Sequence, residues 1–206
     1  MTEQRSTNKP DRRAELRERL LSAGREAIAA GGLQNLKARD LAAAAGCAVG
    51  AIYNVFDDLD ELILRIGSRT LARLAQVLAA PAAGPSPDAA DELVRLARGY
   101  LDFARAHKLL WRALFEHRLS GGRAVPSWFL EDQNRLFALL DAPLARLLPG
   151  EPAPARAQLA RTLFSAVHGV VSLGLEEKLA PMPAETLDAQ LECLVRAFAA
   201  GLQDRD

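Results

Sequence analysis

Residues 42–56 read AAAAGCAVGAIYNVF, fifteen positions without a charge in a chain that is 25% charged. Gly46 and Gly50 stand four apart there, between stretches of helical spacing. Inside a helix each glycine costs about 1 kcal/mol against alanine. Two short helices joined by about three residues containing glycine explain the pair as a helix-turn-helix. Gly46 then falls where the chain leaves the first helix, a place that often requires positive φ. Gly50 falls in the first turn of the second helix, where a missing side chain lets the backbone approach a DNA groove. Ile52 and Phe56 anchor this helix inward, which leaves Val49, Ala51, Tyr53 and Asn54 outward. A tyrosine hydroxyl can reach a phosphate, and an asparagine can read a base edge or a phosphate.

Outward from this stretch the chain reads as helix throughout, with no convincing strand alternation. A first helix carries Leu16, Leu20, Ala23, Ala27 and Ile28 on one face and stops at Gly31–Gly32. Short helices are expected at about 37–45 and 48–54. Asp57 and Asp58 cap a long fourth helix that runs toward Ala80. PAAGPSP (81–87) is the clear linker. Further helices are expected at 88–106, 108–119, 126–147 with Pro143 kinking or breaking it, 155–179 and 184–202, the last two parted by APMPA. The expectation is an all-α protein: a three-helix head at 1–57 with an N-terminal arm, and a larger helical body at 58–206.

Composition limits the function. The 206 residues carry 26 basic and 26 acidic side chains, so net charge is zero. Residues 1–39, however, hold nine basic and five acidic side chains, a local +4. A local patch matters more than the total for a nucleic-acid partner. The two cysteines, Cys47 and Cys193, form no paired motif, which suits a reducing compartment and speaks against a disulfide scaffold or zinc site. No stretch reaches the roughly 18 apolar residues of a membrane span. The first residues lack the apolar run of a secretory signal, so a cytoplasmic location is expected. The three histidines fall in no metal-ligand spacing, and no nucleophile or phosphate-loop motif is present. Neither a catalytic residue, a metal nor a cofactor is expected.

The stretch LKARDLAAAAGCAVGAIYNVFDDLDEL (36–62) resembles the TetR family of bacterial transcription regulators. Leu41, Ala42, Ala45, Gly46, Gly50, Tyr53, Phe56 and Leu62 fall on the family pattern. The resemblance implies a DNA-binding head joined to a helical ligand-binding and dimerisation body. It places Lys37, Ala38, Arg39, Ala48, Val49, Gly50, Ala51, Tyr53 and Asn54 at the DNA. Three positions depart from the family: Lys37 replaces a hydroxyl, Ala48 a serine and Leu59 a phosphate-contacting lysine. Either operator affinity is modest, or Lys37, Arg39 and the basic arm take over these contacts.

In the body, Trp111, LFEHRL (114–119), Trp128 and His168–Gly169 resemble the C-terminal domain type named for Trp, His and Gly. Aromatics make up only 5% of the chain, and those of the body concentrate at its centre. Trp111, Phe115, Trp128, Phe137 and His168 are therefore expected to line an effector pocket, with His168 as its polar handle. The apolar stripes of the last two helices, Leu163 and Val170 with Leu187, Leu191, Leu194, Val195 and Phe198, are expected to form the interface of a homodimer. The functional expectation is a repressor of double-stranded operator DNA, an inverted repeat, released by a small, mostly apolar molecule. A helical adaptor that binds proteins rather than DNA is the alternative.

Overall fold

A computed structural model describes residues 8–80, 88–176 and 183–204. The linker 81–87, most of the 180–184 break and the first seven residues of the basic arm lie outside the described residues. Among the described residues the chain is helical, with no strand. It forms two compact units. One takes the residues up to Thr70 together with His107–Phe129; the other takes Leu71–Ala106 and the residues from Leu130 onward.

The first unit holds α1 (Asn8–Gly31), α2 (Ala38–Ala44), α3 (Val49–Ile52), the first half of α4 (Leu59–Ala79), and α6 (Lys108–Glu116). Leu20, Ile28, Ile52, Phe56 and Leu62 make its core, which Leu110 and Ala113 of α6 complete. Gly24 sits where α1 meets α4: a Cβ there would lie 2.7 Å from the Ile66 side chain. The helix boundary at Gly31–Gly32 is as the sequence suggests, with Gly32 at φ 74° and its N–H on the Ile28 carbonyl.

The second unit holds the end of α4, α5 (Ala89–Ala106), most of α7 (Ser127–Ala138), α8 (Asp141–Leu147), α9 (Ala153–Gly174) and α10 (Ala184–Gln203). α10 packs on α5 and α9, and α5 also packs on α8. Leu93, Leu101, Leu144, Val171, Leu187 and Leu191 are fully buried between them. Arg98–Glu192, Arg105–Asp188 and Arg196–Asp91 tie α5 to α10 across the rim, where such solvent-accessible pairs add about 1 kcal/mol each at most.

Several boundaries differ from expectation. The helix expected over 126–147 is two helices, and the break falls at Leu139–Leu140, ahead of Pro143. Pro143 stands in the first turn of α8, where its missing N–H has no helical acceptor to lose. α3 closes at Ile52 and α6 at Glu116, each shorter than its apolar pattern. The expected cut at residue 57 also differs from the packing, because the head core draws on Leu62, Ile66, Leu110 and Ala113.

Candidate nucleic-acid interface and effector cavity

Leu41, Ala42 and Ala45 hold α2 against the core, so its other face, with Arg39, Asp40 and Ala43, is exposed. α2 ends in a paired turn. The Cys47 N–H bonds the Ala42 carbonyl at 2.9 Å and the Gly46 N–H bonds that of Ala43 at 3.1 Å. This reversal requires the left-handed residue, and Gly46 supplies it at φ 65°. Arg19 donates from Nε to the Ala45 carbonyl at 3.1 Å and so occupies a further acceptor at the helix end. Ala48 is extended and offers no side-chain cap, as expected where a hydroxyl is absent.

Ile52 and Phe56 point inward and are buried. Val49 and Gly50 are exposed beside Tyr53, which is 50% exposed, and Asn54. A Cβ built on Gly50 meets nothing within 4 Å, so the fold itself makes no demand for glycine there. Lys37 is exposed as well, as is Arg39, which forms no ion pair among the described residues. Arg17 is committed inside the head: its guanidinium lies 4.6 Å over the Phe56 ring and donates to the Val55 carbonyl.

The start of α4 is more tightly tied than the sequence suggests. Asp58 accepts the Glu61 N–H at 2.8 Å, while the Glu61 carboxylate accepts the Asp57 N–H at 2.9 Å. Leu59, at the family's lysine position, packs against the head core. Asp60 is buried, accepts the Ser120 N–H at 2.9 Å and the Arg123 guanidinium at 2.6 Å, and lies 3.2 Å from His117 Nε2. Burial opposes its ionisation, but the Ser120 N–H and Arg123 outweigh that and hold its carboxyl below the usual range. Burial pushes the His117 pKa down, against the opposing pull of Asp60 and Asp58. Arg65, paired with Glu61, stacks 3.8 Å from the Trp128 ring. The stretch 117–128 thus buttresses the helix that follows the helix-turn-helix. No sequence signal announced this, because Asp60 and its partners lie about sixty positions apart.

The structure divides the five residues expected at an effector. Trp111, 2% exposed, and Phe115, 45% exposed, pack edge to face on α6, and Trp128 stands under Arg65. All three belong to the first unit. Phe137 and His168 belong to the second, in one aromatic cluster. Phe164 meets Phe137 at 5.2 Å, Tyr100 at 5.5 Å and the stacked His168 ring at 5.8 Å. The Tyr100 hydroxyl lies 2.8 Å from His168 Nδ1. Burial lowers the His168 pKa, so the imidazole is neutral near pH 7. A cavity of about 50 Å³ opens beside this cluster, lined by Tyr100, Phe137 and Phe164 among leucines. Tyr100 is not singled out by the sequence, because it lies in an ordinary amphipathic pattern.

The expected interface residues divide as well. Leu163, Leu187, Leu191 and Val195 are buried inside the chain's own bundle and have no surface left for a partner. Val170, Leu194 and Phe198 are half-buried, and Leu173 beside them on α9 is 61% exposed. The outward face of α10 around Leu194 and Phe198 carries Gln190, Cys193, Ala197 and Gly201, all uncharged.

A helix-turn-helix head and an all-helical body with a small apolar cavity define a one-chain DNA-binding regulator class. Residues 20–66 match the bacterial regulatory proteins of the tetR family, and residues 93–198 match the tetracyclin repressor-like C-terminal domain. The chain belongs to the TetR family. Similar solved structures include a protein of unknown function from Rhodococcus sp. RHA1, 22% identical over 98% of this chain and 100% of that one, with a TM-score of 0.71. A tetR-family transcriptional regulator from Streptomyces coelicolor is 20% identical over 94% and 84%, with a TM-score of 0.69. The fatty acid degradation regulator FadR from Bacillus halodurans is 17% identical over 89% and 94%, with a TM-score of 0.64. At these identities the likeness is one of fold. No curated protein matches the sequence. No helix among the described residues is long and apolar enough to cross a membrane.

Proposed function

We propose that this transcriptional regulator is a cytoplasmic, homodimeric repressor that leaves its operator when a small, mostly apolar effector enters the body. The observation that carries the DNA assignment is Gly50, open to solvent beside exposed Val49 and Tyr53 on a short helix whose own packing does not need a glycine. Such a surface admits close backbone approach to a groove, with Val49 and Ala51 against thymine methyls. Lys37, Arg39, Tyr53 and Asn54 supply the hydrogen bonds to bases and phosphates, with Ala38 and Ala48 close enough to fill the remaining contact. The operator is an inverted repeat with half-sites about one helical turn apart, as two-fold symmetry of the protein requires. The Trp-His-Gly grouping of the body rests on Trp111, Trp128, His168 and Gly169.

The partner surface of the dimer is the uncharged outward face of α9 and α10, through Val170, Leu173, Leu194 and Phe198. Effector binding acts by favouring one arrangement of the dimer over another, which takes only a few kcal/mol of differential affinity. A gel-shift titration with the DNA upstream of the protein's own gene tests the reading. A discrete, salt-sensitive complex that Arg39→Ala weakens supports it; a protein that retards no DNA while binding another protein is an adaptor.

A further inference from the structure

The effector's chemistry follows from the cavity in the second unit, on the reading above that the body takes a small molecule. Twelve residues line the cavity; eleven are hydrocarbon, and the exception is Tyr100. No charged side chain is among them. Arg161 lies over the Phe137 ring at 5.7 Å but is exposed and bonded to Asn134, outside the lining. A carboxylate or ammonium brought here would lose its water with no counter-charge in return, a loss that geometry this apolar does not repay. An alkyl chain has no such loss.

The one polar side chain in the lining is Tyr100, whose hydroxyl lies 2.8 Å from His168 Nδ1. His168 does not line the cavity; it stands behind the phenol and stacks on Phe164. We propose that this cavity takes an uncharged, mostly hydrocarbon molecule whose single hydroxyl bonds Tyr100, with His168 as the positioning residue that orients the phenol. A phenol that donates to the imidazole presents oxygen lone pairs to the ligand, and one that accepts from it presents its O–H. An alcohol satisfies both arrangements. At about 50 Å³ the cavity is far below the roughly 300 Å³ of a site that encloses a drug-sized ligand. The molecule therefore enters by widening it. The wall that can give is the α7–α8 junction, where Leu139 and Leu140 interrupt the helix and line the space.

The test is calorimetric titration of the full-length protein near neutral pH with 1-octanol, octanoate, octylammonium and 1-chlorooctane. The alcohol should bind about tenfold or more tighter than either ion. Tyr100→Phe, which keeps the ring, should weaken 1-octanol by about tenfold and leave 1-chlorooctane unchanged. His168→Leu should reproduce that loss and His168→Gln should largely restore the alcohol. Ala97→Leu, which fills the cavity, should abolish binding of both neutral probes. Octanoate binding as tightly as 1-octanol, no binding of any probe, or an unchanged alcohol affinity in Tyr100→Phe overturns the proposal. Should 1-octanol bind through Tyr100 while a gel shift shows the operator still held, the cavity assignment stands and the effector-released repressor reading fails.

Discussion

Gly46 and Gly50 look alike in the sequence and have opposite reasons in the structure. Gly46 is required by the backbone, at φ 65° in the turn that ends α2. Alanine there should cost about 1–2 kcal/mol of stability, read as a lowered Tm. Gly50 faces open space, so alanine should leave the Tm unchanged or raise it slightly. If DNA approaches that backbone, Gly50→Ala should nevertheless weaken operator binding in a gel shift. Loss of stability in Gly50→Ala would show that the position serves the fold. Arg39→Ala should cost about 1–3 kcal/mol of operator affinity and relax the preference at one base pair, and Lys37→Ala should weaken all sequences alike. These residues were legible because helix-turn-helix surfaces are local: each side chain's place follows from its distance to Gly46. Tyr100 was not legible, since its partner His168 lies 68 positions away.

Among the elements, the acidic start of α4 predicts capping and nothing more. Asp58 does cap, but Asp60 does something that only the fold could bring about, gathering Ser120, Arg123 and His117. Asp60→Asn should lower stability by about 1–2 kcal/mol and weaken operator binding through the displaced helix start. The same cluster sets a pH dependence. The folded protein holds the His117 pKa below 6.5 because burial disfavours the imidazolium. The unfolded chain therefore takes up that proton first, and stability falls as pH drops below about 6.5 until the folded-state pKa is passed. The lowered Asp60 pKa adds a second loss at about pH 4 and below, because its contribution is present above the unfolded value and disappears as pH falls through the folded one. Thermal melts across this range should show both declines, and His117→Gln should shrink the upper one, to which the lowered His168 pKa also contributes, and leave the lower one in place. The break at Leu139–Leu140 belongs to this scale too. Pro143 marks the right region, but it sits in the first turn of α8 rather than at the break.

For the molecule as a whole, the class was legible and the faces were only partly so. Apolar periodicity shows that α9 and α10 each bury a stripe, yet it does not say whether the burial is within one chain or between two. The packing assigns Leu187, Leu191 and Val195 to the interior. Leu191→Glu should therefore unfold the chain, while Leu173→Glu should leave the fold intact and dissociate the proposed dimer, with light scattering and circular dichroism read together. A Leu173→Glu protein that remains dimeric would place the interface elsewhere.

One helix, α4, enters both units, and α6 returns to the first after α5 has already joined the second. The first 57 residues therefore lack Leu62, Ile66, Leu110 and Ala113, which their own core needs. As a peptide they should give the circular dichroism of an unfolded chain. The consequence reaches recombination: a new regulator cannot be made by splicing this head onto another helical body at a single joint. The inherited part is two separated stretches of gene, so a working graft must carry residues 107–129 along with the N-terminal seventy, and crossovers between them should yield insoluble protein.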